Sequence, residues 1–213
     1  MLKMGKFYPK WLNNEEYKKY MEFALEEGFA NHKAKVAVNN KRMLVIDWCD
    51  KDGASNFAVT YILDKLEGVF MIHGDLGCAM ACWYHSINLD DIREYLHSGS
   101  YFLDKMEAGE KYLWDCDKGM KELENRLYEL KESYEKEGKD TTGLEEDFEE
   151  MKSLYEEYEE NSYVNSDFYD LWTKYFDDEY FDIGRYVHPY VYYWVLGFFL
   201  ACDDLSSRDV KLE

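Results

Sequence analysis

The fold is decided by residues 42–84, RMLVIDWCDKDGASNFAVTYILDKLEGVFMIHGDLGCAMACWY. In residues 42–49 and 56–63, apolar and other side chains alternate with period two, as in strands that turn one face to a core. Short polar turns with glycine separate these segments from two further apolar ones. Turns of this length join only antiparallel neighbours, because a parallel crossover needs a dozen or more residues. The sequence predicts an antiparallel β-meander of four strands, or five if residues 34–38 lead it.

Helical periodicity on both sides of the meander makes the predicted fold class α+β. Residues 14–27 and 88–97 each place apolar side chains at helical spacing. Residues 167–180 form a third predicted helix, with an aromatic stripe. Residues 190–203 are apolar on nearly every side, which is typical of a buried helix. We expect this C-terminal helix to close over one face of the sheet.

Two segments separated by a polar loop at residues 138–143 carry the a/d spacing of a coiled coil. Residues 118–137 and 144–160 are predicted to form an antiparallel helical hairpin about two heptads long, with Glu dominating outside the seam. The seam residues are Met120, Leu123, Leu127, Leu130 and Tyr134 in one arm and Leu144, Phe148, Met151, Tyr155 and Tyr158 in the other.

These elements suggest three parts of the chain. Residues 1–117 form an α+β sheet domain, and residues 118–160 form the acidic hairpin. Residues 161–213 are C-terminal aromatic helices that pack back on the sheet domain. The length of 213 residues suffices for a hydrophobic core without metal or disulfides.

Charge is unevenly distributed along the chain, whose formal net charge is −20. Residues 1–60 have ten Lys/Arg and eight Asp/Glu, whereas residues 104–182 have ten Lys/Arg and 27 Asp/Glu. Such an acidic region repels nucleic acid, whose binding needs cationic side chains. It attracts basic protein surfaces and speeds the encounter with them. Solubility alone is the alternative explanation for the acidic surface.

The predicted partner is therefore a basic protein surface rather than nucleic acid itself. A row of carboxylates at helical spacing on the outside of the hairpin, together with tyrosines among the acids, would contact it, because Tyr anchors many protein interfaces. The residues predicted to bind this partner are Glu124, Glu129, Glu132, Glu146, Glu149, Glu156, Tyr163 and Tyr169. The oligomeric state is left open.

Cysteine usage and hydropathy indicate a cytoplasmic protein without a membrane partner. The five Cys have no framework spacing, the N-terminus has no apolar signal core, and most thiols are expected to be buried. The longest apolar run, residues 191–202, is too short to span a bilayer.

Two local patterns have alternative interpretations. The turn Gly74-Asp75-Leu76-Gly77 is either a tight reversal or, with His73, a His/Asp pair at a strand end. The spacing Cys78-x3-Cys82-x2-His85 superficially resembles a metal-ligand set. Two cysteines four residues apart in a strand stand about 13 Å apart and cannot share one zinc, whereas in a helix they would lie one turn apart and a shared zinc would be possible. We expect core thiols and no metal or other cofactor.

Motifs of known enzymes are missing from the sequence. It has no His-Glu-x-x-His, phosphate-binding loop, Gly-x-Ser-x-Gly or dinucleotide-binding fingerprint. Carboxylates are so abundant that no pair of them stands out as an acid/base pair. No catalytic residue is assigned, and the protein is predicted not to be an enzyme.

The pattern Asp52-Gly53-Ala54-Ser55-Asn56, Gly74-Asp75-Leu76-Gly77 and Trp83-Tyr84 resembles uncharacterised proteins of phages and prophages of Gram-positive bacteria. The resemblance covers about residues 42–105 and carries no catalytic residues. It implies a phage context, in which small acidic proteins often bind host defence proteins.

The leading functional prediction is a non-enzymatic, anti-CRISPR-like inhibitor in the host cytoplasm. It would occupy a basic nucleic-acid-binding surface of a defence effector such as a CRISPR nuclease. One alternative is an immunity protein or antitoxin that masks a basic toxin. The other is an enzyme or small-ligand binder with a pocket near residues 74–77.

Overall fold

The computed structural model describes residues 8–13, 15–53, 56–161, 166–176 and 182–212. The chain divides into two compact units. The sheet unit comprises Met1–Lys111 and Val187–Glu213, and the hairpin unit comprises Tyr112–Tyr186.

The sheet unit contains a six-stranded antiparallel sheet whose strands follow one another in sequence order, so the predicted α+β meander is confirmed. A separate two-stranded sheet pairs β7 with β8. The strands are β1 His32–Asn39, β2 Met43–Asp50, β3 Val59–Asp64, β4 Val69–Gly74, β5 Gly77–Cys82, β6 Met106–Ala108, β7 Tyr112–Trp114 and β8 Arg185–Val187.

The helices of the two units are α1 Lys18–Phe23, α2 Leu89–Tyr95, α3 Gly99–Lys105, α4 Cys116–Glu137, α5 Leu144–Asn161, α6 Ser166–Phe176 and α7 Pro189–Ser207. The predicted helix at residues 14–27 is broken into shorter pieces. A 3₁₀ turn, Glu15–Tyr17, precedes α1, and a π-helical turn, Ala24–Gly28, follows it. Helix α2 begins as predicted, because Asn88 caps it in a reciprocal capping box with Asp91.

Alternation along β2 sets the register of the sheet. Leu44, Ile46 and Trp48 are buried, and they lie opposite three buried residues of β3. A shift by one residue would move this whole set to the other face, so burial fixes the pairing. The sixth strand, β6, was not predicted. Helix α3 ends at Lys105, and Met106–Ala108 then pairs with β5.

Helix α7 is buried along most of its length, as predicted. Trp194 and Phe198 are each 2% exposed. The Tyr61 hydroxyl of β3 donates a hydrogen bond to the Trp194 carbonyl (2.9 Å), and the Trp194 indole donates to the Leu76 carbonyl (3.0 Å). These bonds join α7 to β3 and to the turn between β4 and β5. Within the described part of the chain, no helix is both long and apolar enough to cross a membrane.

The hairpin unit is built on α4 and α5, which pack along the predicted seam. Gly138 ends α4 in the left-handed conformation (φ 66°), which glycine adopts without steric cost. Phe168 and Trp172 of α6 are buried in the same core as the seam residues. The sequence-based division placed residues 161–213 together on the sheet domain. The structure instead assigns α6 to the hairpin unit, because its aromatic stripe completes the core of the hairpin.

Candidate functional site

A groove of about 400 Å³ runs between α4 and α5 in the hairpin unit. Leu127 and Phe148 supply its apolar surface, and both belong to the seam. The remaining residues that line it are Glu124, Tyr128 and Lys131 of α4 and Glu145, Glu149 and Lys152 of α5. The groove thus combines an apolar base, an aromatic side chain and charged edges.

Helical spacing explains why these side chains share one side of the hairpin. In each arm the three polar groove residues follow a spacing of four and then three, so they lie on adjacent turns of one helix flank. They stand next to the seam, whereas residues on the opposite side of each helix point away from it. We call this side of α4 and α5 the groove flank.

Tyr128 is the most prominent aromatic residue of the groove flank, with 64% of its surface exposed. Its hydroxyl donates a hydrogen bond to Glu132 (3.0 Å), and this carboxylate raises the pKa of the Tyr128 phenol. Tyr128 was not predicted, because the tyrosines predicted to contact the partner, Tyr163 and Tyr169, both lie later in the acidic part of the chain. Its position one residue after the seam residue Leu127 could have indicated an exposed flank.

Two lysines partly neutralise the groove flank. Lys131 of α4 bonds to Glu145 of α5, and this contact lowers the pKa of the Glu145 carboxyl group. Lys152 pairs with Glu149 within α5. Among the described residues, Glu124 has no ion-pair partner. Four carboxylates including Glu156 and two lysines therefore leave this flank with an excess of negative charge.

The six predicted glutamates do not form a single row. Glu124 and Glu149 line the groove, and Glu156 follows Glu149 by two helical turns on the same flank. Glu129 lies about 140° around α4 from Glu124 at 3.6 residues per turn. Glu132 and Glu146 likewise lie on the sides of their helices away from the seam, so half of the predicted set does not line the groove, although Glu132 accepts the hydrogen bond from Tyr128.

The predicted tyrosines have different outcomes. Tyr169 on α6 is 49% exposed, whereas Tyr163 lies outside the described residues. Of the other aromatic residues among the acids, Tyr155 is core and Tyr175 is partly buried. The side chain of the predicted seam residue Tyr158 also lies outside the described part of the structure.

Gly74-Asp75-Leu76-Gly77 is a tight turn between β4 and β5. The Ala58 amide donates to the Asp75 carboxylate (3.0 Å), and the Asp75 amide donates to the Ala58 carbonyl (2.9 Å). A Cβ atom on Gly74 would stand 2.0 Å from the Ala58 oxygen, so this close approach requires glycine. Asp75 therefore holds the neighbouring segment in place, which is the structural interpretation of the turn.

The two cysteines of β5 differ in exposure. Cys82 is buried, but Cys78 is exposed, so the expectation of two core thiols is wrong for Cys78. Cys202 is also buried, whereas Cys49 and Cys116 are intermediate. The expectation that most thiols are buried is therefore wrong. In the described ranges, no cluster of three or more His, Cys, Asp or Glu residues is arranged to hold a metal ion.

The comparisons with known proteins return no relative. No family model matches the chain, and no curated protein or solved structure matches it significantly. The resemblance to phage and prophage proteins therefore stays a prediction. The fold and the groove define an α+β protein with an acidic helical hairpin, and functional inference rests on those features.

Proposed function

We propose that this protein is a non-enzymatic binding protein that engages a basic surface of a partner protein through the groove flank of its hairpin unit. The observation that carries the proposal is the placement of Glu124 and Glu149 around one groove with exposed Tyr128. Aromatic side chains supply contact area at interfaces, and acidic neighbours select a cationic partner.

The dimensions of the groove favour a side chain or a short segment as its occupant rather than a flat surface. An Arg or Lys side chain could lay its aliphatic stem on Leu127 and Phe148 and extend its charge toward Glu124 or Glu149. Arg suits this arrangement best, because its planar guanidinium both stacks on an aromatic ring and pairs with carboxylates. The two lysines of the flank would help to set which cation fits.

The finer part of the proposal concerns the partner's identity. Basic surfaces that bind nucleic acid present clustered Arg and Lys, and an acidic protein can compete for them. We therefore propose a nucleic-acid-binding effector in the bacterial cytoplasm, such as a CRISPR nuclease, as the partner class. An antitoxin that masks a basic toxin would use the same physical contacts.

The test compares two variants with equal changes in charge. The groove variant carries Glu124→Gln, Glu149→Gln and Glu156→Gln. The back variant carries Glu129→Gln, Glu146→Gln and Glu150→Gln, all exposed residues outside the groove. Immobilised wild type and both variants are used to capture proteins from a bacterial lysate at low salt, and captured proteins are identified by mass spectrometry.

We expect the wild type and the back variant to capture the same basic protein, released by high salt, and the groove variant to capture much less. The captured protein should bind a labelled DNA or RNA duplex, and wild-type protein should displace that duplex. Equal capture by both variants would refute a specific role for the groove flank. Capture without competition for nucleic acid would refute the effector part and leave the toxin alternative.

A further inference from the structure

A second cavity, of about 500 Å³, lies in the sheet unit and is independent of the hairpin. It is bounded by the end of α1 and the π-helical turn that follows it, by the turn between β4 and β5, by the segment just before β3 and by the start of α7. The residues that line it include the aromatic side chains Phe23, Phe57 and Tyr190 and the carboxylates Glu27 and Asp75. Its volume lies within the range of small-molecule sites in proteins.

The aromatic side chains of this cavity are held in place but not covered. Phe57 packs against Phe29 (5.7 Å between ring centroids) and Tyr193 (5.5 Å), which fix its ring. Phe23, at 5.8 Å from Phe57, is 43% exposed, and Tyr190 is 40% exposed. Three rings therefore border one cavity while two of them keep open surface, which is unlike singly scattered exposed apolar residues.

The backbone around the cavity is specialised at two points. Phe57 has φ 61°, a left-handed conformation that a bulky side chain rarely adopts. Gly28 allows its ring to lie close, because a Cβ atom there would stand 3.1 Å from the ring. Glu27 belongs to the π-helical turn Ala24–Gly28, and such turns often occur at functional sites.

The charges of the cavity are of one sign. Glu27 and Asp75 are both exposed carboxylates, and Asn56 is a neutral neighbour. Among the described residues that line the cavity, none is Lys or Arg. Aromatic faces attract cations through the ring quadrupole, and carboxylates add a direct electrostatic attraction. An anionic ligand would be repelled by both kinds of group.

We propose that this cavity binds a small organic cation, with an alkylated ammonium group against Phe23 and Tyr190 and near Glu27. Asp75 contributes the second negative charge while it keeps its hydrogen bond from the Ala58 amide. The apolar faces of the rings accommodate the alkyl groups, which a hydrated metal ion lacks. The ligand is thus recognised by charge and by its methyl or methylene surface together.

Choline and its neutral isostere 3,3-dimethylbutan-1-ol provide a matched pair of probes, titrated into the full chain by calorimetry or ligand-observed NMR. We expect choline to bind saturably and the neutral isostere at least several-fold more weakly. Glu27→Gln should weaken choline binding, whereas Glu26→Gln, an exposed neighbour that does not line the cavity, should not. Phe23→Leu should weaken choline binding by about two- to fivefold.

Absence of choline binding would overturn the proposal, as would equal binding of the two probes. Equal effects of Glu27→Gln and Glu26→Gln would show that only the overall negative charge attracts choline, and would also overturn it. The groove variant of the hairpin unit should bind choline like the wild type. This control separates the cavity from the groove, so that either proposal can fail without the other.

Discussion

Replacement of Gly197 in α7 by alanine tests the packing of the buried helix on the sheet. A Cβ atom at this position would stand 2.5 Å from the Tyr61 hydroxyl oxygen and 3.1 Å from the Phe29 ring. Tyr61 is fully buried, and its hydroxyl group is bonded to the Trp194 carbonyl. The hydroxyl group cannot move aside without weakening that bond.

Two opposing effects decide whether Gly197→Ala stabilises or destabilises the protein. Alanine is favoured over glycine inside a helix by about 0.8–1 kcal/mol. Overpacking costs about 1–3 kcal/mol, and a disturbed buried hydrogen bond costs about 1–3 kcal/mol more. The steric cost is therefore larger, and we expect Gly197→Ala to lower the free energy of unfolding by about 1–5 kcal/mol.

Tyr61→Phe supplies the control, because it removes the atom closest to the new methyl group. In that background Gly197→Ala should cost at least about 1 kcal/mol less than in the wild type, so the two changes should be coupled. Urea unfolding followed by tryptophan fluorescence measures all four proteins. Additivity within about 0.5 kcal/mol, or stabilisation by Gly197→Ala alone, would refute the packing argument.

Two further predictions concern the edge strand and the thiols of the sheet unit. In the edge strand β1, the Ala34 amide donates to Asp204 (2.9 Å) and the Ala34 carbonyl accepts from Arg208. The double variant Asp204→Ala, Arg208→Ala should expose these backbone groups and promote concentration-dependent self-association, measured by sedimentation. A monomer at all concentrations would contradict this. Cys78 should react with a thiol reagent in the native state before Cys202, whose pKa burial raises to about 12. The Cys202 thiol ionises near pH 8.5 in the unfolded chain, so its contribution to stability is present below that pH and is lost as the pH rises toward 12. Equal labelling rates for Cys78 and Cys202 would contradict the burial of Cys202.

Most of the fold could be predicted because its signals are local. The alternation of Leu44, Ile46 and Trp48 has only one compatible register with a single buried face. Helix α7 has apolar side chains on nearly every side, which indicates that it is buried even though the sequence does not show which elements cover it. Strand β6 was missed because it has only three residues, and its pairing with β5 depends on tertiary contact rather than on pattern.

Other differences arise where the sequence does not show what covers a side chain. The aromatic stripe of α6 indicates burial but not which core it joins, and the structure places Phe168 and Trp172 with the hairpin. In β5, Cys78 and Cys82 lie on the same face of the strand, yet only Cys82 is buried. Coverage at the end of a strand depends on elements that are distant in sequence.

The candidate groove was predicted in part. The heptad seam was correct for the residues whose side chains the structure describes, and helical spacing alone places Glu149 and Glu156 on one flank. The separation of Glu129 from Glu124 around α4 also follows from 3.6 residues per turn. The six glutamates were nevertheless predicted to form one row. The pairing of Lys131 with Glu145 depends on the register between the two arms, which the sequence of either arm does not contain.

The most direct test of the proposed function is the association rate constant with the captured basic protein, measured at several salt concentrations for the wild type and the two charge variants. Steering by a local acidic groove predicts that the groove variant associates about three- to tenfold more slowly at low salt than the back variant, with a flatter salt dependence. Both variants lose three negative charges, so net charge alone cannot separate them. Equal rate constants and equal salt slopes for the two variants would contradict recognition through the groove.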